Sequence, residues 1–262
     1  MKHITSHDNL FFKELIKLAG SARQRNKTNQ TLLDGAHLLA AYLDAGMLPH
    51  HILLNAAALR DDEITALLKR VGAVPITQLD DRLFAKLSEL KTTTGILALI
   101  EIATPAAPVA AARFALLLED IQDPGNLGSI LRSAAAGGCD AVFLSSGCAD
   151  AWSPKVLRAA MGGHFSLNIY EQQDLARIAK AFDGTLLAAS LQATRSLYDC
   201  DLRGNVAFLI GNEGAGLSDE LLNLATQKIT IPMPGKAESL NAAAATAICL
   251  FEAVRQRVGS GE

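Results

Sequence analysis

The sequence has few cysteines, and they form no recognisable metal or disulfide pattern. The four cysteines are scattered along the chain, without a C-x-x-C pair and without a histidine at ligand spacing: Cys139, Cys148, Cys200 and Cys249. A disulfide framework and a structural zinc site are therefore not expected, and reduced thiols are typical of a cytosolic protein. Because Cys139 and Cys249 lie in apolar segments, we predict that both are core thiols.

The sequence also lacks an excess of positive charge. Lys and Arg number 24 against 27 Asp and Glu, which gives a net charge of −3. Proteins that bind nucleic acid usually carry a basic excess, so the overall charge does not indicate one. The exception is segment 13–27, which sets a single acid, Glu14, against five bases: Lys13, Lys17, Arg23, Arg25 and Lys27. This run is either a local nucleic-acid contact or an ordinary solvated helix face.

No apolar run is long enough for a signal peptide or a membrane span. The start, MKHITSHDNLFFKELIK, is more charged and polar than the apolar region of a signal peptide. The most apolar helix candidate, 240–254, is interrupted by Asn241, Thr246 and Glu252 and is too short to cross a bilayer. With 50% hydrophobic and 19% charged residues, the chain is predicted to be a soluble, cytoplasmic globular protein without a membrane partner.

The composition changes at 103–112, where ATPAAPVAAA carries two prolines and no charge, as is typical of an interdomain linker. Before it, alternating strand and helix patterns predict a small sheet with helices on its faces. The patterns are strands at 51–55, 73–77 and 95–102 and helices at 61–72 and 80–90. After it, continuous apolar runs predict a parallel sheet that is covered on both faces. These runs lie at 114–118, 141–144, 185–190, 206–211 and 229–232.

Polar residues follow the first of these later runs, in DIQDPGNLGSILRSAAAGG at 120–138. In open α/β sheets, ligands bind at the carboxyl ends of the strands. After the D-P-G-N turn, Asn126 is well placed to cap a helix. Arg132 falls with Gly128 and Ser129 on a face away from the apolar stripe, because residues three and four apart are neighbours on a helix. Arg132 is therefore either a solvated helix residue or a group that lies beside a phosphate.

The second segment, FLIGNEGAGLS at 208–218, places glycines around Asn212 and Glu213 directly after a strand. It is neither a G-x-G-x-x-G motif nor a P-loop. Gly211 allows either a ligand or another part of the chain to approach the backbone closely, and a plain loop is the alternative.

The third segment, ITIPMPGKAESLNAAAATAICLFEAVRQ at 229–256, ends in a long Ala-rich helix. Ser239, Leu240 and Asn241 stand at the predicted start of this helix, where Ser239 by itself would be an ordinary N-cap. The small residues at 242–247 would let another helix approach, so this helix is both core and a candidate interface.

Taken together, the three segments resemble the motifs of the SpoU/TrmH family of RNA ribose 2′-O-methyltransferases. The likeness rests on N-x-x-x-x-x-R after D-P-G, then G-N-E-G, then I-P-M-x-G followed by S-L-N. Upstream, ITSHDN, the basic run that ends at Arg25, L-D-G-A-H-L-L and T-T-G-I-L are similar to the substrate-binding domain of larger family members. The resemblance therefore covers nearly the whole chain.

The resemblance implies an α/β fold for both parts of the chain. Residues 113–262 would form a SPOUT domain with a parallel sheet, whose C-terminal segment threads through a loop to make a trefoil knot. Residues 28–102 would form a smaller α/β RNA-binding domain like a ribosomal-protein fold, after a basic N-terminal extension at 1–27 and before the linker at 103–112. Family members are homodimers with the active site at the interface.

The resemblance also implies S-adenosylmethionine as the methyl donor. On the matched positions, Gly211, Ile231 and Leu240 would contact this cofactor, largely through backbone groups. No metal is required, because the sulfonium supplies the electrophile.

The acceptor, a ribose 2′-hydroxyl, is a poor nucleophile that needs a base or a charge to stabilise the developing alkoxide. By resemblance, Arg132 is the leading candidate for this activation. Arginine side chains stay protonated near neutral pH and do not suit a base, so Arg132 would position a phosphate and favour the alkoxide electrostatically. Asn126, Glu213, Ser239 and Asn241 would orient the ribose, the cofactor and Arg132.

The sequence departs from the family pattern at residues 25–30, at Asp34 and at residues 92–94, all in the N-terminal part. Ribosomal RNA is favoured over tRNA as the substrate, because minimal tRNA-modifying relatives tend to lack this part. One alternative is a non-catalytic RNA-binding or ribosome-assembly protein, against which the intact motifs argue. A doubly wound enzyme with a nucleotide cofactor would need a glycine-rich turn after the first strand and an acid about 20 residues later, which the chain does not supply.

Overall fold

The computed structural model describes residues 1–88, 94–105 and 111–260, which form two compact units. The N-terminal unit comprises Met1–Ala103 and Trp152–Phe165, and the C-terminal unit comprises Thr104–Ala151 and Ser166–Glu262. Residues 106–110 of the predicted linker lie outside the described residues. So do the predicted helix end at 89–90, residues 92 and 93 of the departure at 92–94, and with residue 93 the first position of the T-T-G-I-L stretch.

The N-terminal unit is built on a five-stranded sheet of order β1-β4-β3-β5-β2. Its elements in chain order are β1 Lys2–Ile4, α1 Leu10–Gly20, α2 Ala22–Thr28, β2 Gln30–Asp34, α3 Ala36–Asp44, β3 His51–Leu54, α4 Asp62–Val71, β4 Ile76–Leu79, α5 Asp81–Leu87 and β5 Ile96–Glu101. β1, β4 and β3 are parallel, and β5 runs antiparallel to β3 and β2. The small sheet with flanking helices that the sequence predicts is present.

The helix predicted at 61–72 shows how local sequence sets these elements. The Asp61 side chain accepts a hydrogen bond from the Ile64 amide at 3.1 Å and caps α4, and two acids follow in the first turn. Gly72, at φ +64°, ends the helix in the left-handed region that favours glycine. The strand predicted at 73–77 instead begins at Ile76, since Pro75 precedes it.

Residues 1–27 are part of this unit and not an extension set apart from it. β1 pairs with β4, Lys2 opposite Thr77. α1 buries Phe12, Leu15 and Leu18 in the same core cluster as residues of β2, β3 and β5. The apolar face of α1 lies at helical spacing between the basic residues, so the charges of this segment hide an amphipathic pattern.

The C-terminal unit contains a seven-stranded sheet of order β10-β12-β9-β11-β6-β7-β8, and every pairing in it is parallel. Its elements in chain order are β6 Phe114–Leu118, α6 Pro124–Ala136, β7 Ala141–Leu144, β8 Asn168–Tyr170, α8 Leu175–Ala181, β9 Thr185–Ala189, β10 Arg195–Ser196, β11 Val206–Ile210, α9 Asp219–Leu224, β12 Gln227–Thr230 and α10 Ala242–Ser260. The helix α7 Pro154–Ala160 comes between β7 and β8 in the sequence but belongs to the N-terminal unit. The central strands β6, β7 and β11 are buried throughout, as continuous apolar runs predict.

One strand of this sheet is displaced from its predicted position. The run at 229–232 was expected to be a strand, but β12 spans Gln227–Thr230 and pairs with β9 from Gln227 onward. The chain leaves the sheet before Pro232, which has no amide hydrogen to donate to a strand ladder. No helix among the described residues is both long and apolar enough to cross a bilayer.

Candidate active site

A cavity of about 420 Å³ opens in the C-terminal unit where three neighbouring strands end. It lies at the carboxyl ends of β9, β11 and β12, the position at which parallel α/β sheets bind ligands. The loop after β11 supplies residues 211–217 of its lining, and the segment after β12 supplies Ile231 and Met233. Ser239 and Leu240, just before α10, complete this side of the cavity.

The three residues that the family resemblance assigns to the cofactor all line this cavity. Gly211 follows β11, Ile231 follows β12, and Leu240 lies just before α10, so three separate parts of the sequence converge here. Two predicted catalytic residues, Glu213 and Ser239, line the same cavity. Their roles toward a ligand stay predictions.

Gly211 is the point at which the loop after β11 crosses itself. A Cβ atom at this position would lie against the backbone of Gly216 and Leu217, far inside any real contact distance. The sequence leaves open whether a ligand or another part of the chain approaches Gly211. The structure shows that the chain crosses itself tightly there, within the loop. Any side chain at position 211 would displace the loop that lines the cavity.

Asn212 holds this loop in shape, a role that sequence reasoning missed. Its Oδ1 accepts hydrogen bonds from the amides of Gly214 and Ala215 at 2.8 and 3.1 Å. Its backbone exchanges hydrogen bonds with Gly216, and its Nδ2 donates to the Asp120 carbonyl at 2.9 Å. An asparagine with glycines directly before it and two residues after it, in a loop after a strand, is a turn signal that could have identified it, since an asparagine side chain can bond the backbone two residues later.

Three predicted residues, one from each motif, form a chain of hydrogen bonds. Asn126 Nδ2 donates to Glu213 Oε1 at 2.5 Å, and Asn241 Nδ2 donates to Asn126 Oδ1 at 2.9 Å. Asn241 Oδ1 in turn accepts from the amides of Ala243 and Ala244 at the start of α10. Asn126 therefore has its amide orientation fixed by two partners, and the three motifs meet at its side chain.

The helix caps differ from those predicted. Asn126 does not cap α6: Asp123 does, accepting from the Asn126 amide at 2.8 Å, and Pro124 takes the first helical position. Aspartate before proline is the stronger N-terminal signal, which the interpretation of Asn126 overlooked. Asn241 caps α10, so Ser239 lies before the helix in the cavity lining. Gly128, expected away from the apolar stripe, is buried.

Arg132 lies apart from the other predicted catalytic residues. It is exposed on α6, six residues after Asn126, which is about 9 Å along a helix axis. Within the described residues its guanidinium has no hydrogen bond or ion pair, and it does not line the cavity. The structure thus brings four of the five predicted residues to the cavity or its hydrogen-bonded edge and leaves Arg132 on the surface.

Asp120 connects the ends of three strands behind the site. It adopts a left-handed backbone conformation with φ +55°, and its carbonyl receives the Asn212 side chain. Asp120 Oδ1 accepts a hydrogen bond from Ser145 Oγ at 2.6 Å, and the Asp120 amide donates a hydrogen bond to Ser145 Oγ at 2.9 Å. Beside it, Glu119 Oε2 accepts from the Ser218 amide at 2.7 Å. These contacts join β6 and β7 to the loop after β11, and no sequence motif indicated them.

Comparison with known proteins identifies the two parts of the chain. The SpoU rRNA methylase family matches residues 113–251, and the MRM3-like substrate binding domain matches residues 9–98. An uncharacterized tRNA/rRNA methyltransferase of Synechocystis is 34% identical over 97% of this chain and 94% of its own length. The 23S rRNA (guanosine(2553)-2′-O)-methyltransferase RlmP of Bacillus subtilis is 33% identical, covering 96% of this chain and 98% of the relative.

A solved structure agrees over the same extent. The SpoU methyltransferase AviRb from Streptomyces viridochromogenes, in complex with the cofactor AdoMet, superposes with a TM-score of 0.82 at 27% identity, covering 96% of this chain and 100% of AviRb. The expected α/β SPOUT architecture with a smaller N-terminal domain is therefore confirmed. The resemblance carried by the three motifs is confirmed as well, and the chain belongs to the SpoU rRNA methylase family.

Proposed function

We propose that this chain transfers the methyl group of S-adenosylmethionine to a ribose 2′-hydroxyl of ribosomal RNA. The observation that carries the proposal is the cavity at the ends of β9, β11 and β12, where Gly211, Ile231 and Leu240 converge from three separate segments. Membership of the SpoU rRNA methylase family and the AdoMet complex of AviRb support the reaction and the cofactor. A non-catalytic RNA-binding or ribosome-assembly protein would not need these three segments to converge on one cavity.

The cavity suits a cofactor of this kind. Its volume of about 420 Å³ lies within the range of roughly 300–1,000 Å³ that is typical of small-molecule sites. Apolar side chains of Ile231, Met233 and Leu240 stand beside the polar backbone of the loop after β11. When bound, S-adenosylmethionine supplies an electrophilic methyl group. The described residues around it would hold and orient the cofactor, chiefly through the self-crossing loop that Gly211 permits.

The experiment combines a binding and a product measurement. Calorimetric titration of the purified chain with S-adenosylmethionine should show one site per chain. Incubation with ribosomal RNA and methyl-labelled cofactor, followed by digestion to nucleosides, should then yield a 2′-O-methylated nucleoside. Absence of cofactor binding, or a methyl group found on a base and not on the ribose, contradicts the proposal.

In the reaction that we propose, Arg132 acts on the acceptor side. An exposed guanidinium without a partner in the described residues is free to contact an RNA phosphate or the developing alkoxide. Asn126, Glu213 and Asn241 would act as positioning residues, since their hydrogen bonds fix the edge of the cavity. Ser239 lines the cavity and would contact the ribose or cofactor. The group that accepts the hydroxyl proton is left open.

We propose that the protein acts as a homodimer through α10. Phe251 is 47% exposed and Val258 is 74% exposed on this helix. With Ala244 they recur every seven residues along α10 and form an apolar surface at helical spacing. A second chain on this surface would bury it, and the position of Arg132 outside the cavity of its own chain is consistent with an active site shared between two copies.

Ribosomal RNA is the preferred substrate in this proposal, with tRNA as the alternative. The preference is supported by the N-terminal match to the MRM3-like substrate binding domain and by the Bacillus subtilis relative, which is a 23S rRNA methyltransferase. We accordingly assign substrate binding to the N-terminal unit and place the enzyme in the cytoplasm, in keeping with four free cysteines. Mapping 2′-O-methylation over total RNA with and without the gene would separate the two substrates.

The trefoil knot is also part of the proposal. It is supported by membership of the SpoU rRNA methylase family. The helix that follows the proposed threaded segment, α10, is bound to the segment before β11. Gln256 exchanges hydrogen bonds with Leu202 and Cys200, and Arg257 donates to the carbonyls of Leu202 and Gly204. An experimental electron-density trace of the chain from Ile231 to α10 decides whether it threads through that segment.

A further inference from the structure

Among the described residues that line the cavity, the charged side chains are both acidic. Glu213 belongs to the loop after β11, and Asp219 is the first residue of α9. No lysine, arginine or histidine stands with them in that lining, and the other side chains are apolar or uncharged. The described lining therefore offers a ligand negative charge only.

The two acids differ in their surroundings. Asp219 occupies the first turn of α9, where the helix dipole favours a carboxylate. Glu213 lies in a turn, is exposed, and forms no ion pair with any cation in the part of the chain that the structure describes. The charge of Glu213 is therefore the less compensated of the two.

One oxygen of the Glu213 carboxylate is held in place. Glu213 Oε1 accepts a hydrogen bond from Asn126 Nδ2 at 2.5 Å, and Asn241 Nδ2 donates to Asn126 Oδ1 at 2.9 Å. Glu213 Oε2 forms no hydrogen bond with the described residues. Because the side chain is already ordered, it loses little further freedom when it meets a ligand.

The reactive end of a bound methyl donor belongs at this edge of the cavity. Asn126 and Asn241 lie on the acceptor side of the proposed site, and Glu213 connects Asn126 to the cavity lining. The methyl group must face the ribose oxygen that takes it, so it has to lie where the cavity borders these residues. The positively charged sulfur that carries the methyl group is then a neighbour of Glu213.

We infer that the Glu213 carboxylate makes the cavity prefer the methyl donor to the spent cofactor by charge. The inference rests on the proposed function, because it takes S-adenosylmethionine as the ligand. When the ribose oxygen bonds the methyl carbon, the carbon–sulfur bond breaks with its electron pair left on sulfur, and the hydroxyl proton is released. The product S-adenosylhomocysteine is therefore a neutral thioether at the position where the donor is a cation. The carboxylate attracts the donor only, which favours exchange of the product for a new donor.

The test is calorimetric titration with both ligands, at low and at high KCl. Glu213→Gln keeps a side-chain oxygen for the Asn126 amide and removes the charge. At low salt this variant should bind S-adenosylmethionine about fivefold more weakly than wild type, which is the effect of one opposite charge in contact in water. Its affinity for S-adenosylhomocysteine should equal that of wild type. High salt should reduce the preference for the donor in wild type but not in the variant, because salt screens exposed charges.

Two controls make the result specific. Sinefungin carries an ammonium in place of the methylsulfonium, so Glu213→Gln should weaken its binding as it weakens that of S-adenosylmethionine. Glu238→Gln removes an exposed acid that lies just before Ser239 in the sequence and does not line the cavity, and it should leave the preference unchanged. An equal loss of preference in Glu238→Gln would mean that the net charge matters and Glu213 does not, which overturns the inference.

The remaining outcomes separate this inference from the proposed function. If Glu213→Gln weakens both ligands by the same factor, Glu213 acts on the shape of the cavity or on a group that both ligands share, and the inference fails. An unchanged preference in this variant also overturns it, while the cofactor site stands. If the preference behaves as expected but no methyl group reaches RNA, the proposed function fails and the role of Glu213 stands. If wild type binds neither ligand, both fail.

Discussion

Replacing Arg132 with alanine should remove most turnover while leaving the fold and the cofactor site unchanged. The side chain is exposed on α6 and has no hydrogen bond or ion pair in the described residues, so its loss should change the free energy of unfolding by no more than about 0.5 kcal/mol. It does not line the cavity, so the affinity for S-adenosylmethionine should stay the same. If it stabilises the developing alkoxide, the rate should fall by roughly 10²–10³, or about 2.7–4 kcal/mol of barrier.

The assay is single-turnover methylation at saturating RNA, because it separates the chemical step from RNA binding. If Arg132 only holds a phosphate, Arg132→Ala should raise the RNA concentration needed for half-maximal rate and weaken the salt dependence, with the saturated rate retained. Arg132→Lys should restore little of a catalytic role, since lysine keeps the charge but not the planar fork. An unaltered saturated rate for Arg132→Ala rejects the catalytic assignment, and normal activity throughout makes Arg132 an ordinary solvated residue.

Three further predictions follow from the C-terminal unit. Gly211→Ala should abolish detectable S-adenosylmethionine binding in calorimetry, because its Cβ would collide with the loop backbone. Gly214→Ala is the control and should still bind, because its Cβ meets only a side chain at 3.5 Å; equal affinities of the two variants would refute the loop assignment. Phe251→Asp should convert a dimer of about twice 27.7 kDa to a monomer in light scattering. The control Leu48→Asp, which also changes an exposed apolar residue, should leave the dimer intact, and a wild-type monomer at micromolar concentration contradicts the proposed dimer. In native protein at pH 8, Cys148 should be the first cysteine to react with a thiol reagent, because it is only half-buried while the other three are buried. The reaction should be slow, since burial also raises the pKa of the Cys148 thiol, and burial raises the pKa of Cys249 to about 12. Rapid labelling of all four cysteines would contradict this packing.

The parts of the fold that sequence could predict are those fixed by local chemistry. β6, β7 and β11 follow from unbroken apolar runs, and α4 follows from a capping aspartate at one end and a glycine at the other. The short edge strands β8 and β10, of three and two residues, were not predicted, because their pairing with the sheet and not their composition makes them strands. β1, of three residues, was missed because it is also too short to show a pattern. For α1, a solvated helix face was one of the two interpretations, but the buried apolar face was missed because basic residues lie between its apolar positions.

The same distinction applies to the site. The sequence predicts a close approach at Gly211, but only the three-dimensional structure shows that the approaching atoms belong to Gly216 and Leu217. Likewise, sequence placed Asn126 at the start of α6, yet its partners Glu213 and Asn241 lie 87 and 115 residues away. Contacts at such separations depend on strand order, which local patterns do not contain.

The hydrogen bonds behind the cavity explain why the three motifs meet. β6 and β11 are adjacent parallel strands, so the loops that follow them leave the sheet at the same edge. Asp120 ends one strand and Asn212 the other, and the bond between the Asp120 carbonyl and the Asn212 side chain ties the two loops together. Asn126 then lies close enough to bond Glu213. Asn212 also shapes the loop that lines the cavity, and it lines the cavity itself. The link between the first two motifs and the shape of the proposed cofactor site therefore depend on the same side chain.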